Sequence, residues 1–443
     1  MILKFARNIL IEKTRSSRVK KNIFFGFIFK ALNISIGFYT VSVTLNCIDS
    51  DTYGIWLIIT SMIGWLGFFD IGLGNGLRNK FAAAIALGDD KQARQLVTTA
   101  YVTIFFICFT ANFLLFYLID HVDLPRLIGI SENKIDLGNL RVLVKVVSAS
   151  FFITLTLNLI GALLNALQKG YITAAIDLIS KTLTLFGIIW ISKTENVSLL
   201  NLSLIYAIVT PGVLLLSSFY FFLILYKRYC PTLDLFDYSK VRDLFSLGLS
   251  FFVIQISGIL LYQTNNVIIS HLIGQDMVTK YNVSLKYFSV LSIAWSIVLA
   301  PFWSASTEAW VTKDFKWLSR NVTKLIKAWI VLLILGIVML ALSNRVFAIW
   351  INNDFRVPLG LTITMLISIL LSAWNGIFSH FFNGTGKLNV QLFFAISTSV
   401  INVPLAWYLG RLYGIEGILL SNAILALPTV VVYPIYMRRL FQI

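Results

Sequence analysis

The sequence predicts an all-α integral membrane protein with about twelve transmembrane helices. These form two six-helix lobes related by a pseudo-two-fold axis along the membrane normal. Three observations predict it. Of 443 residues, 58% are hydrophobic and 13% are charged, about half the charged share of a soluble domain, and mean hydropathy is +0.83. The apolar residues fall in runs long enough to cross a hydrocarbon core of about 30 Å as helix, without the alternation of a membrane barrel. Lysine and arginine gather in alternate connecting segments.

Residues 1–21 carry Lys4, Arg7, Lys13, Arg15, Arg18, Lys20 and Lys21 ahead of an apolar run from Asn22 to about Cys47. With no small-residue cleavage site, this is an uncleaved first span rather than a signal peptide. The basic stretch fits an amphipathic helix on an anionic surface. Spans are expected near 22–46, 53–77, 97–119, 141–166, 171–191, 200–226, 244–270, 281–303, 325–343, 359–382, 389–410 and 415–437. Asp177 and Lys181 interrupt the fifth.

On this topology the inner segments hold 24 lysines and arginines and the outer loops 8; Lys30, Lys145, Lys181 and Lys286 fall within spans. A threefold inner excess predicts both termini in the cytoplasm. It also accounts for most of the net charge of +16 without nucleic acid as a partner. The longest non-membrane segments, 1–21, 120–140 and 304–324, are too short to fold alone. The last has Trp310 and Trp317 among basic residues, a pattern that suits an interfacial helix.

The chain repeats itself. Tyr53 pairs with Tyr281, Asn165–Lys169 with Asn383–Lys387, and Pro211 with Pro428, at offsets of 228, 218 and 217. Six spans per half give both halves one orientation, as in transporters with parallel repeats. The expected organisation is an N-terminal lobe 1–226, a cytoplasmic linker 227–243 and a C-terminal lobe 244–443.

The stretch from Gly64 to Arg94 ends an aromatic run at Asp70 and continues through Gly72, Gly74 and Gly76. A nucleotide loop is not indicated, because there is no βαβ context and no Lys-Ser or Lys-Thr to hold phosphate and Mg²⁺. Glycines here would let this end bend or let a neighbouring backbone come close. Cys47, Cys108 and Cys230, like His121, His271 and His380, are scattered, so neither a disulfide framework nor a zinc site is expected. No catalytic triad, Walker loop or metal cluster stands out, and the chain is expected not to be an enzyme. Asp120, Asp123, Glu132 and Asp136 in the 120–140 loop suit a solvated cap better than the active site of a glycosyltransferase or polymerase.

Ionisable residues inside spans are costly and point to function. Lys30, Lys145, Lys181 and Lys286 are all cations, which suits an anionic substrate such as a diphosphate. Lys30, Lys145 and Lys286 could instead snorkel to an interface, and Lys181 could form an ion pair with Asp177, one turn away. Asp70 and Glu308 lie near the inner ends of spans two and eight. They could gate by pairing with Arg78 or another cation, bind a coupling proton or Na⁺, or anchor the interface. Trp56, Trp65, Trp295, Trp303 and Trp374 could stack on sugars or serve as belt and packing residues.

Phe68–Asp89, FFDIGLGNGLRNKFAAAIALGD, with Tyr53-Gly54-Ile55-Trp56 before it, resembles the end of span two in bacterial polysaccharide-unit (O-antigen) flippases. That superfamily also contains the multidrug and toxic-compound (MATE) exporters. The resemblance implies a MATE-like fold and a multi-pass protein of the bacterial inner membrane. It implies movement of an undecaprenyl-diphosphate-linked oligosaccharide to the outer leaflet by alternating access, for O-antigen or another surface polymer. Membrane lipids and downstream polymerase machinery would be its partners. No cofactor is implied, and coupling to H⁺, Na⁺ or membrane potential is open.

By the same resemblance Lys30, Lys181 and Lys286, then Lys145, are candidate cavity cations, and Asp70, Arg78, Asp177 and Glu308 are gate or coupling candidates. The family uses arginines and lysines on cavity helices, whereas this chain has no midspan arginine. A cation-coupled multidrug exporter is the alternative. It would favour deep acids in the N-terminal half, where only Asp177 comes close, and Asp177 has a lysine beside it. A lipid II flippase would need two or more further spans.

Overall fold

Every regular element among the described residues is helical; the computed structural model describes residues 14–48, 50–64, 67, 70–124, 137–193, 198–351 and 356–441. The chain divides into two compact units, Met1–Leu249 and Ser250–Ile443. The first holds α1 (Arg15–Cys47), α2 (Ser50–Gly64), α3 (Leu73–Ala86), α4 (Asp90–His121), α5 (Leu137–Leu157), α6 (Leu159–Ala166), α7 (Gly170–Ile191) and α8 (Leu199–Tyr220). The second holds α10 (Gln275–Val311), α11 (Phe315–Trp350), α12 (Leu359–Thr385) and α13 (Asn389–Phe441), and α9 (Tyr238–Leu272) begins in the first unit and ends in the second.

Ten helical stretches among the described residues are long and apolar enough to cross a membrane. The longest, α13, has 53 residues, about 80 Å of helix at 1.5 Å per residue. It breaks at Gly414, where φ is 62° and ψ −141°, and so supplies the last two expected spans. With the shorter apolar stretch Thr52–Gly64, each of the twelve expected spans has a helical counterpart among the described residues.

Span two is broken at its glycine-rich end. Helix α2 stops at Gly64 and α3 begins at Leu73, with Ile71 at φ 47° and Gly72 at φ 69° between them. The left-handed turn re-aims the chain, and the Asp70 carboxylate accepts the Gly74 N–H at 3.1 Å, satisfying one of the donors a helix start leaves open. The new helix then meets the first turns of α9. A Cβ on Gly76 would lie 2.7 Å from the Leu244 carbonyl oxygen, and one on Gly248 would lie 3.1 Å from that of Gly72. Two backbones cross here at a distance that excludes side chains.

The core of the first unit grows from that junction. Leu73, Leu77 and Phe81 of α3 are fully buried with Ala93, Val97 and Ala100 of α4 and Leu163 of α6. Helices α1 and α7 are fastened by Asn22, whose amide donates to the Gln168 carbonyl at 2.6 Å and accepts from the Tyr171 N–H at 2.9 Å. Asn33 donates to the Ala174 carbonyl at 3.2 Å.

The 227–243 segment, expected as a linker, packs on the first unit. Tyr229 is fully buried, edge-on to Phe81, and its hydroxyl donates to Asp90 at 2.9 Å. Burial, together with that carboxylate, pushes the Tyr229 hydroxyl up to about 12, so it remains a donor. Arg94 donates to the Cys230 carbonyl at 2.7 Å, and the Thr98 and Thr99 hydroxyls accept from the N–H groups of Thr232 and Asp237 at 3.2 Å each. The first compact unit accordingly runs through this segment to Leu249.

In the second unit α12 packs against α10, α11 and α13, which explains why Ile377, Phe378, Phe381 and Phe382 are fully buried. Two repeat signals share a shape. The turns after α6 and α12 each place their fourth residue in the left-handed region, Gln168 at φ 55° and Gly386 at φ 70°. Those residues' N–H groups donate to the Asn165 and Asn383 carbonyls at 3.0 and 3.3 Å. Pro211 and Pro428 both lie inside helices.

Candidate functional site

Three of the charged candidates converge on adjoining helices of the first unit. Lys30 on α1 and Lys181 on α7 are exposed, and both lie within electrostatic reach of Asp177, one turn before Lys181. Lys181 is twelfth of the 22 residues of α7, about 17 Å along a helix that just spans the core. A lone charge facing hydrocarbon there costs at least about 2.5 kcal/mol. One acid between two lysines leaves a net positive face, so the arrangement suits contact with water or an anionic cargo.

The other candidates are dispersed. Lys145 on α5 donates to Asp120 on α4 at 2.6 and 2.7 Å. This pair also takes one of the acids of the 120–140 loop; Asp123 is exposed, and Glu132 and Asp136 lie outside the described residues. Lys286 is exposed on α10 of the second unit. Asp70 and Glu308 were expected at corresponding positions, yet their settings differ. Asp70 lies in the break before α3, whereas Glu308 is half-buried in the last turn of an unbroken α10. Arg78 is half-buried on α3.

A second feature lies wholly within the second unit and was not anticipated. A cavity of about 220 Å³ is lined by Ser368, Ser372, Asn375 and Ser379 of α12, Gln391, Thr398, Asn422, Thr429 and Tyr433 of α13, and Ser257 of α9, with no charged side chain among its lining residues. The α12 residues recur at helical spacing and form a polar stripe down an apolar helix. Asn375 donates to the Thr429 hydroxyl at 2.6 Å. The amide oxygens of Asn375, Gln391 and Asn422 are buried without a hydrogen-bond partner among the described residues. An unmet buried acceptor costs about 1–3 kcal/mol, so the cavity calls for hydroxyl or water donors.

The tryptophans behave mainly as packing residues. Trp295 is buried and donates to the Ala373 carbonyl at 2.8 Å. Trp374 donates to the Val430 carbonyl at 3.4 Å, the acceptor left open because Pro434 has no N–H. Trp56 is buried against Tyr206, and Trp303 packs on Phe251 and His380. Trp65 lies outside the described residues. Among the described residues no three His, Cys, Asp or Glu side chains gather as a metal site would require.

The helix order and the broken spans define a multi-pass membrane protein with the MATE transporter fold. An outward-facing multidrug resistance MATE family transporter of the MOP superfamily aligns with a TM-score of 0.79 at 14% identity, covering 97% of this chain and 96% of that one. A MATE protein in its bent conformation gives 0.79 at 15% identity over the same shares. A MOP superfamily transporter from Pyrococcus furiosus, described as having a binding pocket of reverse polarity, gives 0.77 at 14%, again over 97% and 96%. At such identities the shared property is the fold.

The sequence relatives narrow the resemblance. A Yersinia pseudotuberculosis protein named for O-antigen export is 24% identical over 398 residues, 88% of this chain and 89% of its own. Proteins named as O-antigen transporters are 20% identical over 415 residues in Salmonella typhi (92% and 94%) and 22% identical over 381 residues in Shigella flexneri (84% and 86%). No protein-family model matches the chain. The resemblance seen around Phe68–Asp89 is thus shared, across most of the chain, with proteins named for O-antigen transport.

Proposed function

We propose that the chain is a flippase that carries an undecaprenyl-diphosphate-linked oligosaccharide from the cytoplasmic to the periplasmic leaflet of a bacterial inner membrane. It works by alternating access and feeds assembly of O-antigen or a related surface polymer. The observation that carries this reading is the end-to-end similarity to proteins named for O-antigen transport. The chemistry of the two sites supports it. Lys30 and Lys181 offer positive charge to a diphosphate, and the cavity beside α12 offers uncharged hydrogen-bonding groups to sugars. The first of these would repel a cationic drug.

On this reading Lys286 is a further cavity cation, Lys145 a weaker one because Asp120 already neutralises it, and Asp70, Arg78, Asp177 and Glu308 act in gating or coupling. Both termini face the cytoplasm on this reading, which the lysine and arginine asymmetry supports. The cycle is coupled to H⁺, Na⁺ or the membrane potential, and the polysaccharide polymerase machinery takes the product.

The test is complementation of a flippase-null Gram-negative strain that makes a matched repeat unit, read on surface-polysaccharide gels. Restored polymer supports the reading. No polymer from membrane-inserted protein, together with efflux of cationic dyes, makes the chain an exporter.

A further inference from the structure

The basic end of the second unit carries a groove that neither transport site uses. It has a volume of about 460 Å³, within the roughly 300–1,000 Å³ of small-molecule sites. Its apolar lining is Val322 and Ile326 of α11 and Pro434 of α13, all half-buried, over the buried Phe378 of α12 and Met437 and Phe441 of α13. One wall is α11, through Ser319, Val322 and Ile326; Arg438 closes the other side.

The rim is strongly cationic. Lys316, Arg320, Lys324 and Lys327 recur every three or four residues on α11; at about 100° per residue Lys316, Arg320 and Lys327 flank the groove-lining Thr323, and Lys324 lies further round the helix. All four are exposed, as are Arg438 and Arg439 of α13. No acid lines the groove. An apolar groove edged with cations is complementary to a lipid with a negative headgroup. A zwitterionic lipid would leave those cations unanswered, and a peptide helix would have to bury its backbone beside them.

We propose that this groove binds an anionic phospholipid of the adjacent leaflet. An acyl chain lies along Val322, Ile326 and Pro434, and the headgroup phosphate is held by Arg438 with Lys316 and Arg320. The site does not depend on which cargo the protein carries.

The experiment is native mass spectrometry of the purified full-length protein in detergent, titrated with phosphatidylglycerol and, separately, phosphatidylcholine. Expected is a saturable phosphatidylglycerol adduct about tenfold tighter than the phosphatidylcholine one, in line with attraction by several surface cations. Arg320→Gln with Arg438→Gln abolishes that preference. Lys91→Gln with Arg242→Gln, an equal charge loss at exposed sites away from the groove, leaves it intact. Because all four residues are exposed, an unchanged melting temperature verifies folding.

Equal affinity for the two lipids overturns the proposal, as does equal loss in both double variants, which would make it a general effect of a basic surface. Full competition by inorganic phosphate or by the water-soluble headgroup alone overturns the acyl-chain seat. One-for-one displacement by a polyprenyl diphosphate makes the groove a cargo site instead.

Discussion

Gly76 sits directly beneath the Leu244 carbonyl: a Cβ at position 76 would come within 2.7 Å of that oxygen, with backbone on both sides. Gly74, two residues earlier, would meet only the Asp70 carboxyl, at an ordinary 3.6 Å. Alanine in a helix gains up to about 1 kcal/mol over glycine, whereas overpacking costs about 1–3 kcal/mol. Gly74→Ala is therefore expected to be neutral or stabilising. Gly76→Ala is expected to lower stability by about 1–2 kcal/mol, and Gly76→Val by more. Melting of the purified variants measures the contrast; equal melting temperatures would mean the backbone crossing is loose.

The strap at 227–243 stands or falls with Tyr229. Tyr229→Phe keeps the ring against Phe81 and loses the bond to Asp90, a cost of about 1 kcal/mol. Tyr229→Ala also opens a cavity, a cost of about 3–5 kcal/mol. Limited proteolysis should then cut between 230 and 237 in the alanine variant well before wild type. Equal rates would mean that backbone bonds to Thr98 and Thr99 hold the segment without the ring.

For the cavity of the second unit, stability and function should move apart. The Gln391 and Asn422 amide oxygens are buried without partners, so Gln391→Leu and Asn422→Leu remove an unmet acceptor and should melt no lower than wild type. Transport should fall about tenfold in each, the worth of one or two hydrogen bonds to cargo. Normal transport in both would reduce the cavity to a water pocket.

The lysines should rank by setting. Lys30→Ala and Lys181→Ala each remove charge from the face around Asp177, so polymer export should drop about tenfold or more while membrane levels hold. Lysine-to-arginine changes at the same sites should largely restore it. Lys145→Ala, already answered by Asp120 at 2.6 Å, should export nearly normally. Polysaccharide gels normalised to membrane protein read all three, and a Lys145 defect as large as that of Lys181 would reverse the ranking.

Hydropathy made the helices legible, because a span's length and polarity are one-dimensional properties. The twin turns were legible too: Asn165–Lys169 and Asn383–Lys387 matched by residue type and share a left-handed fourth residue. The break before Leu73 was legible only as a capacity to bend, since an apolar run does not report φ; the glycine cluster also signalled close approach without naming Leu244 as the partner. The strap looked like a polar linker because its anchors, Thr98, Thr99 and Asp90, lie about 140 residues earlier. The polar cavity was half visible. Ser368, Ser372, Asn375 and Ser379 already make a stripe at helical spacing in the sequence, but hydroxyls can bond back to their own helix and so do not by themselves mark a cavity. Only folding brings Gln391 and Asn422 to that stripe.

The central claim is tested most directly by reconstituting the purified protein in liposomes with a fluorescent polyprenyl-diphosphate oligosaccharide and following its appearance in the opposite leaflet with a membrane-impermeant quencher. The account predicts transfer faster than in protein-free vesicles, slowed by Lys30→Ala and Lys181→Ala. Transfer no faster than in protein-free vesicles, from protein that accumulates a cationic dye under an imposed ion gradient, would contradict it.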